Sequence, residues 1–185
     1  ASSDSLVRKM VLVVAGSLLL AISAKVQVPF YPVPMTMQTL VVLSFGMAFG
    51  WRLGGATVLL YLQEGMAGFP VFAGTPEKGI GLSYMLGGTG GYLAGYLVAA
   101  LAVGVLAERG WDRNFWSAAA ALAVGNILIY AFGLFWLGAL FGWDKPILQW
   151  GLYPFIYGDL LKTAIAAVAF HTMWRAIAPR HQKGS

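Results

Sequence analysis

The sequence contains no cysteine, which removes disulfides, thiolate metal sites and cysteine nucleophiles and leaves the redox compartment undetermined. Charge is scarce as well: 10% of the residues are Asp, Glu, Lys or Arg, against about 25% in an ordinary soluble domain. The two histidines, His171 and His181, have no further histidine or carboxylate at metal-ligand spacing, so no metal site is expected. No G-x-x-x-x-G-K-S/T occurs, which excludes hydrolysis of a nucleotide on a phosphate-cradling loop. H-E-x-x-H and G-x-S-x-G are also missing. An enzyme is therefore the weaker class.

What is present is apolar. Hydrophobic residues make up 59% of the 185, and runs of them are long enough to cross a hydrocarbon core of about 30 Å. The pattern predicts an all-α integral membrane protein with a single domain over 1–185, a compact bundle of six transmembrane helices near 6–24, 35–50, 53–62, 89–107, 115–140 and 152–177. The first run is too long for a secretory signal and lacks a small-residue cleavage site, so it is expected to be a retained helix. Pro29, Pro32 and Pro34 exclude helix from 25–34. The glycine-rich stretch 63–88 is long for a connection, and long loops of this kind are usually binding loops or lids. Pro154 is acceptable in the first turn of the last helix.

The net charge of +5 resembles a nucleic-acid signal until its distribution is considered. Basic residues sit singly or in pairs at the ends of apolar runs. With six spans, Arg8, Lys9, Arg52, Arg109, Arg113, Arg175, Arg180 and Lys183 fall on one side, and Lys25, Lys78 and Lys145 on the other. Eight against three places both termini in the cytoplasm by the positive-inside rule. The two loops 25–34 and 63–88 then lie outside, where they can cap one cavity.

Two charges remain inside a span. Asp159 and Lys162 are three residues apart and share a helix face. Each costs roughly 2.5 to 3.5 kcal/mol at mid-membrane depth on insertion scales, which makes the pair a functional-site hypothesis. The bland reading is an ion pair hiding two charges; the functional one gives Lys162 a ligand carboxylate and Asp159 a ligand N–H. Gln38 and Asn126 are amides in otherwise apolar helices, structural if alone, but beside the pair they provide what an amide-like ligand needs. Tyr130 and Tyr92 are core or interfacial aromatics by default, and both are counted among the candidate ligand residues. Gly46, Gly50 and Gly54, and again Gly87, Gly91 and Gly95, recur every four residues and predict close helix packing. Ala15, Ser17 and Ala21 give the first helix a small-residue face that can be packed inside or left for a partner.

Five segments together resemble the biotin-specific substrate-binding component of energy-coupling factor transporters, the BioY family. They are P-V-P-M-T-M-Q-T at 32–39, G-F-P-V-F-A-G at 68–74, G-G-T-G-G-Y-L-A-G-Y at 87–96, G-N-I-L-I-Y-A-F-G-L-F-W-L at 125–137 and P-F-I-Y-G-D-L-L-K at 154–162. The resemblance implies a six-helix bundle with an external biotin pocket in a bacterial inner membrane. It implies binding roles for Asp159, Lys162, Asn126, Tyr130 and Gln38, and for Phe72, Ala73 and Gly74 in the capping loop. A transmembrane coupling protein, met by the small face of the first helix, and two ATPases are the implied partners. They use the ATP, no cofactor is expected, and the binding subunit topples in the membrane. Gly88 departs from the family pattern, which has proline there, and 75–79 depart from its glycine-rich run. A relative selective for thiamin or riboflavin, and a self-sufficient facilitator, stay open as alternatives.

Overall fold

The computed structural model describes residues 3–177; Arg180, His181 and Lys183 lie outside them. The helices are α1 (Ser3–Lys25), α2 (Gln38–Met66), α3 (Leu82–Met85), α4 (Gly90–Glu108), α5 (Phe115–Phe141), α6 (Ile147–Gly151) and α7 (Ile156–Ile177). Among the described residues, the strands are two of two residues each, β1 (Gln27–Val28) and β2 (Met35–Thr36). They run antiparallel, with Gln27 opposite Thr36 and Val28 opposite Met35. The proline-bearing segment is the tip of this small hairpin, and it moves the start of the next helix from Met35 to Gln38. Among the described residues, α1, α2, α4 and α5 are long and apolar enough to cross a membrane. The charges of Asp159 and Lys162 interrupt the apolar face of α7.

The two helices expected on either side of Trp51 and Arg52 are the two arms of α2, which break at one non-helical residue, Gly50, at φ 72° and ψ 177°, a conformation essentially confined to glycine. There the chain doubles back. The Gln38 side-chain amide donates to the Tyr61 hydroxyl at 2.6 Å, a separation of 23 residues that a straight helix would stretch to roughly 34 Å. A Cβ on Gly54 would stand 2.9 Å from the carbonyl oxygen of Phe45, so the two arms of α2 touch along their backbones. Of the expected Gly46, Gly50 and Gly54 face, Gly54 therefore serves close packing while Gly50 makes the reversal.

The core forms where α2 packs on α4 and α4 on α5, with α1 against α2 and α7 against α5. Gly95 lets α4 meet α5 closely: a Cβ there would lie 2.9 Å from the Ile129 Cα. This is the small-residue packing expected from its spacing with Gly91. The last long helix begins later than expected. Residues 152–155 form a turn after α6, so Pro154 stands before α7 and not in its first turn. Asp159 consequently falls in the first turn of α7, where the positive end of the helix dipole favours a carboxylate.

Candidate ligand-binding site

The β hairpin, the loop after α2 and the start of α7 converge at one end of the bundle. They line a cavity that is continuous with solvent. Val33, Pro34 and Met35 form one wall; Tyr92, Leu93 and Tyr96 of α4 form another. Ile129 and Tyr130 come from α5, and Phe155, Asp159 and Lys162 from the end of the chain's last turn and α7. Aromatic and aliphatic surface thus surrounds one ion pair.

That pair is well supported. The Lys162 ammonium lies 2.8 Å from Asp159 Oδ1, with side-chain exposures of 11% and 8%. It also donates to the Thr36 carbonyl at 2.7 Å and the Thr39 hydroxyl at 3.1 Å, which occupies all three of its N–H groups. Asp159 Oδ1 accepts from Lys162 and from Thr39 at 3.0 Å. Oδ2 accepts a short hydrogen bond from the Tyr130 hydroxyl. A carboxylate offers about four acceptor positions; donors among the described residues fill three and leave one on Oδ2. The cation is saturated and the anion is not.

Gln38 lines the cavity and begins a relay. Its amide donates to Tyr61, whose hydroxyl donates to the Val71 carbonyl at 3.1 Å, tying the first arm of α2 to the capping loop. Tyr61→Phe leaves that carbonyl without its donor and is expected to lower stability by about 1–3 kcal/mol. A thermal unfolding midpoint equal to that of the unchanged protein would show that the relay contributes nothing.

The other expected residues divide. Tyr92 lines the cavity and donates to the Gly151 carbonyl at 2.7 Å. Ala73 lines it too, whereas its neighbours in the motif do not. Phe72 is fully buried, edge-on to Tyr61 and stacked on Tyr84, so it anchors the loop from beneath. Gly74, at φ 73°, makes the turn that lets Ala73 reach inward. Asn126 lies behind the pair, in a separate small space with Leu43, Leu122 and Thr163. Its amide donates to Thr163 at 2.9 Å, the residue after Lys162. Ser17 is fully buried and donates to Glu64 at 3.0 Å, so it faces the second arm of α2. Ala21 is half-buried and Ala15 exposed. His171 stands in α7 away from any cluster of metal-ligating residues among those described.

Thr36, Thr39, Tyr84, Thr89 and Tyr96 also line the cavity. Thr36 and Thr39 sit inside the 32–39 motif and share the ion pair's remaining bonds with Tyr130, Thr36 through its main-chain carbonyl and Thr39 through its hydroxyl. Burial pushes the Tyr84 phenol above its ordinary pKa, with Thr89 acting the other way. It therefore presents a neutral hydroxyl at physiological pH.

The comparisons with known proteins bear on the family and the fold. The chain is 34% identical over 150 residues to the probable biotin transporter BioY of Pyrococcus horikoshii, covering 81% of this chain and 86% of that one. It is 33% identical, with the same coverage, to the biotin transporter BioY of Thermotoga maritima. Both are named as transporters. The fold matches a crystal structure of the S-component for biotin from an ECF-type ABC transporter with a TM-score of 0.79, at 22% identity over 95% of each chain. The sequence profile of the BioY family matches residues 1–179, and this chain belongs to the BioY family.

Proposed function

We propose that this protein is the biotin-binding specificity subunit of an energy-coupling factor importer in a bacterial inner membrane. The observation that carries the reading is the acceptor position on Asp159 Oδ2 left by its neighbours among the described residues, beside a cation, in a cavity walled by aliphatic and aromatic groups together with Thr36, Gln38, Thr39 and Thr89. Biotin presents a cyclic urea, whose N–H groups need an acceptor, and a carboxylate at the far end of an aliphatic chain. The urea N–H goes to Asp159, with Gln38 and Tyr130 near it. With the aliphatic chain folded back toward the urea, the carboxylate takes Lys162, whose ammonium is 2.8 Å from Asp159, by exchanging with the Thr36 carbonyl, the one bond of that ammonium to main chain.

Six crossings follow if α1, the two arms of α2, α4, α5 and α7 each traverse the bilayer, with both termini in the cytoplasm and 25–34 and 63–88 outside. The first arm of α2, 38–49, spans roughly 18 Å, less than the hydrocarbon core. The β hairpin completes the distance, which a membrane tolerates where irregular backbone is buried in protein or lines a cavity. Lys162 lies six residues into α7, roughly 9 Å from its start, within reach of the external loops. Ala15 sits among exposed Val11, Val14, Leu18 and Ile22 on the outer face of α1. That face, with Ala21 at its edge, is the surface assigned to the coupling protein, which with two ATPases supplies the energy.

Titration of the purified protein with biotin, thiamin and riboflavin, followed by tryptophan fluorescence, tests the assignment. Saturation by biotin alone supports it, and saturation by another vitamin overturns it. For the carboxylate, Lys162→Ala is expected to weaken biotin binding on the order of ten to a hundredfold, because a hydrogen bond to a charged group contributes roughly 1.5–3 kcal/mol. Biotin methyl ester should bind the unchanged protein more weakly than biotin, and the Lys162→Ala protein about equally. A folded variant with unchanged affinity returns the pair to a structural role. An ester penalty that persists in the variant places the carboxylate elsewhere.

A further inference from the structure

Lys25 ends α1 and is not part of the cavity wall. Its ammonium donates to the Phe72 carbonyl at 2.9 Å, the Thr75 carbonyl at 2.8 Å and the Thr75 hydroxyl at 3.1 Å. These are all the donors a lysine has, and all three go to a single turn of the capping loop. The turn converges on that point: the Thr75 hydroxyl itself donates to the Phe72 carbonyl at 2.6 Å, so three oxygens face one cation. Ala73, held between them, is the loop residue that reaches the cavity. On its other side Lys25 is two residues from β1, whose partner strand β2 carries Met35 and Thr36 into the same cavity. One side chain thereby joins the two coverings of the site.

We propose that Lys25 is a positioning residue for ligand retention, holding the 72–75 turn closed over the cavity. The identity of the ligand rests on the biotin reading above; the holding of the turn does not. A ligand enters while the cover is open and leaves only after it has opened again. Without ligand the cover opens often enough that entry is set by encounter, whereas a bound ligand adds its own contacts to those of Lys25 and escapes only when both break, so the Lys25 bonds act on dissociation far more than on association. Lys25→Met keeps the length and apolar body of the side chain while removing its donors. It should raise the biotin dissociation rate about tenfold, leave the association rate within about twofold, and leave the thermal unfolding midpoint of the ligand-free protein unchanged. Lys25→Arg, which restores donors at the same place, should return dissociation close to its original rate.

The experiment uses the full chain in lipid nanodiscs, with labelled biotin for both rates and hydrogen exchange on the ligand-free protein. The reporting amides are those of Lys78 and Gly79, which bond within the loop at 2.8 Å to Gly74 and 3.0 Å to Pro76. Faster exchange there in Lys25→Met, together with faster dissociation and rescue by arginine, supports the proposal. Unchanged exchange and dissociation overturn it, as does a variant whose unfolding midpoint falls and whose two rates change alike. Failure of the unchanged protein to bind biotin overturns the biotin reading instead, and the exchange of Lys78 and Gly79 still decides the role of Lys25.

Discussion

Asp159→Ala is expected to weaken biotin binding by at least about a hundredfold, a larger loss than removal of its lysine partner. Asp159 is the hub to which Lys162, Thr39 and Tyr130 all donate. Deleting it removes the acceptor proposed for the ligand and strands an ammonium whose side chain is 11% exposed. Breaking a buried pair in this way costs about 3–5 kcal/mol, some of which falls on stability and some on binding. Asp159→Asn keeps the shape and one carbonyl acceptor but loses the charge. It is expected to fall between the two, with most of the fold's stability retained. Calorimetric titration with biotin beside a thermal unfolding curve separates the contributions. Binding by Asp159→Ala at the original affinity would remove Asp159 from the site.

The second large effect is on the cover. Phe72 fills a slot between Tyr61 and Tyr84 with no exposure, and a Cβ on Gly65 would overlap its ring. Gly65→Val therefore expels the phenylalanine or displaces the second arm of α2. Losing the burial of a phenylalanine costs about 3–5 kcal/mol, and the loop that carries Ala73 loses its anchor with it. The expected result is a marked fall in the unfolding midpoint together with weak biotin binding. Phe72→Ala in the same chain removes the overlap, so the double variant should be more stable than the sum of the single changes implies. Strict additivity would mean that Gly65 and Phe72 do not meet.

The chemistry of the site was legible where it violated the membrane's rules. Asp159 and Lys162 stand out in an apolar run because the bilayer makes charge expensive, and the structure brings them to the cavity. Thr36, in β2, and Thr39, in α2, complete the same cluster, yet neither carries a charge, so composition gives no reason to single them out. Asn126 and Phe72 show a different limit. Both occur in the right motifs, but a motif fixes a residue's address along the chain and not its depth. One turn of helix carries Asn126 past the cavity to Thr163, and the Gly74 turn sends Phe72 downward while Ala73 faces in. Ser17 was read as one of three small residues on a face, and its hydroxyl found Glu64. The reversal in α2 was visible as a polar break at Trp51 and Arg52, although the residue that makes it is the glycine before them.

That reversal is braced from outside. A Cβ on Gly104 would overlap the backbone of Trp51, and the carboxylate of Glu108 lies against Gly50, so α4 clamps the bend where it forms. The molecule is in effect a cup: a base in which neighbouring backbones leave no slack, and a rim made of a two-residue-wide ribbon and a turn held by side-chain bonds. A cup of this kind fills and empties through the same mouth. On the proposed reading, the toppling that the family resemblance implies would turn this cup over as a unit, with the work done by whatever grips its outer wall.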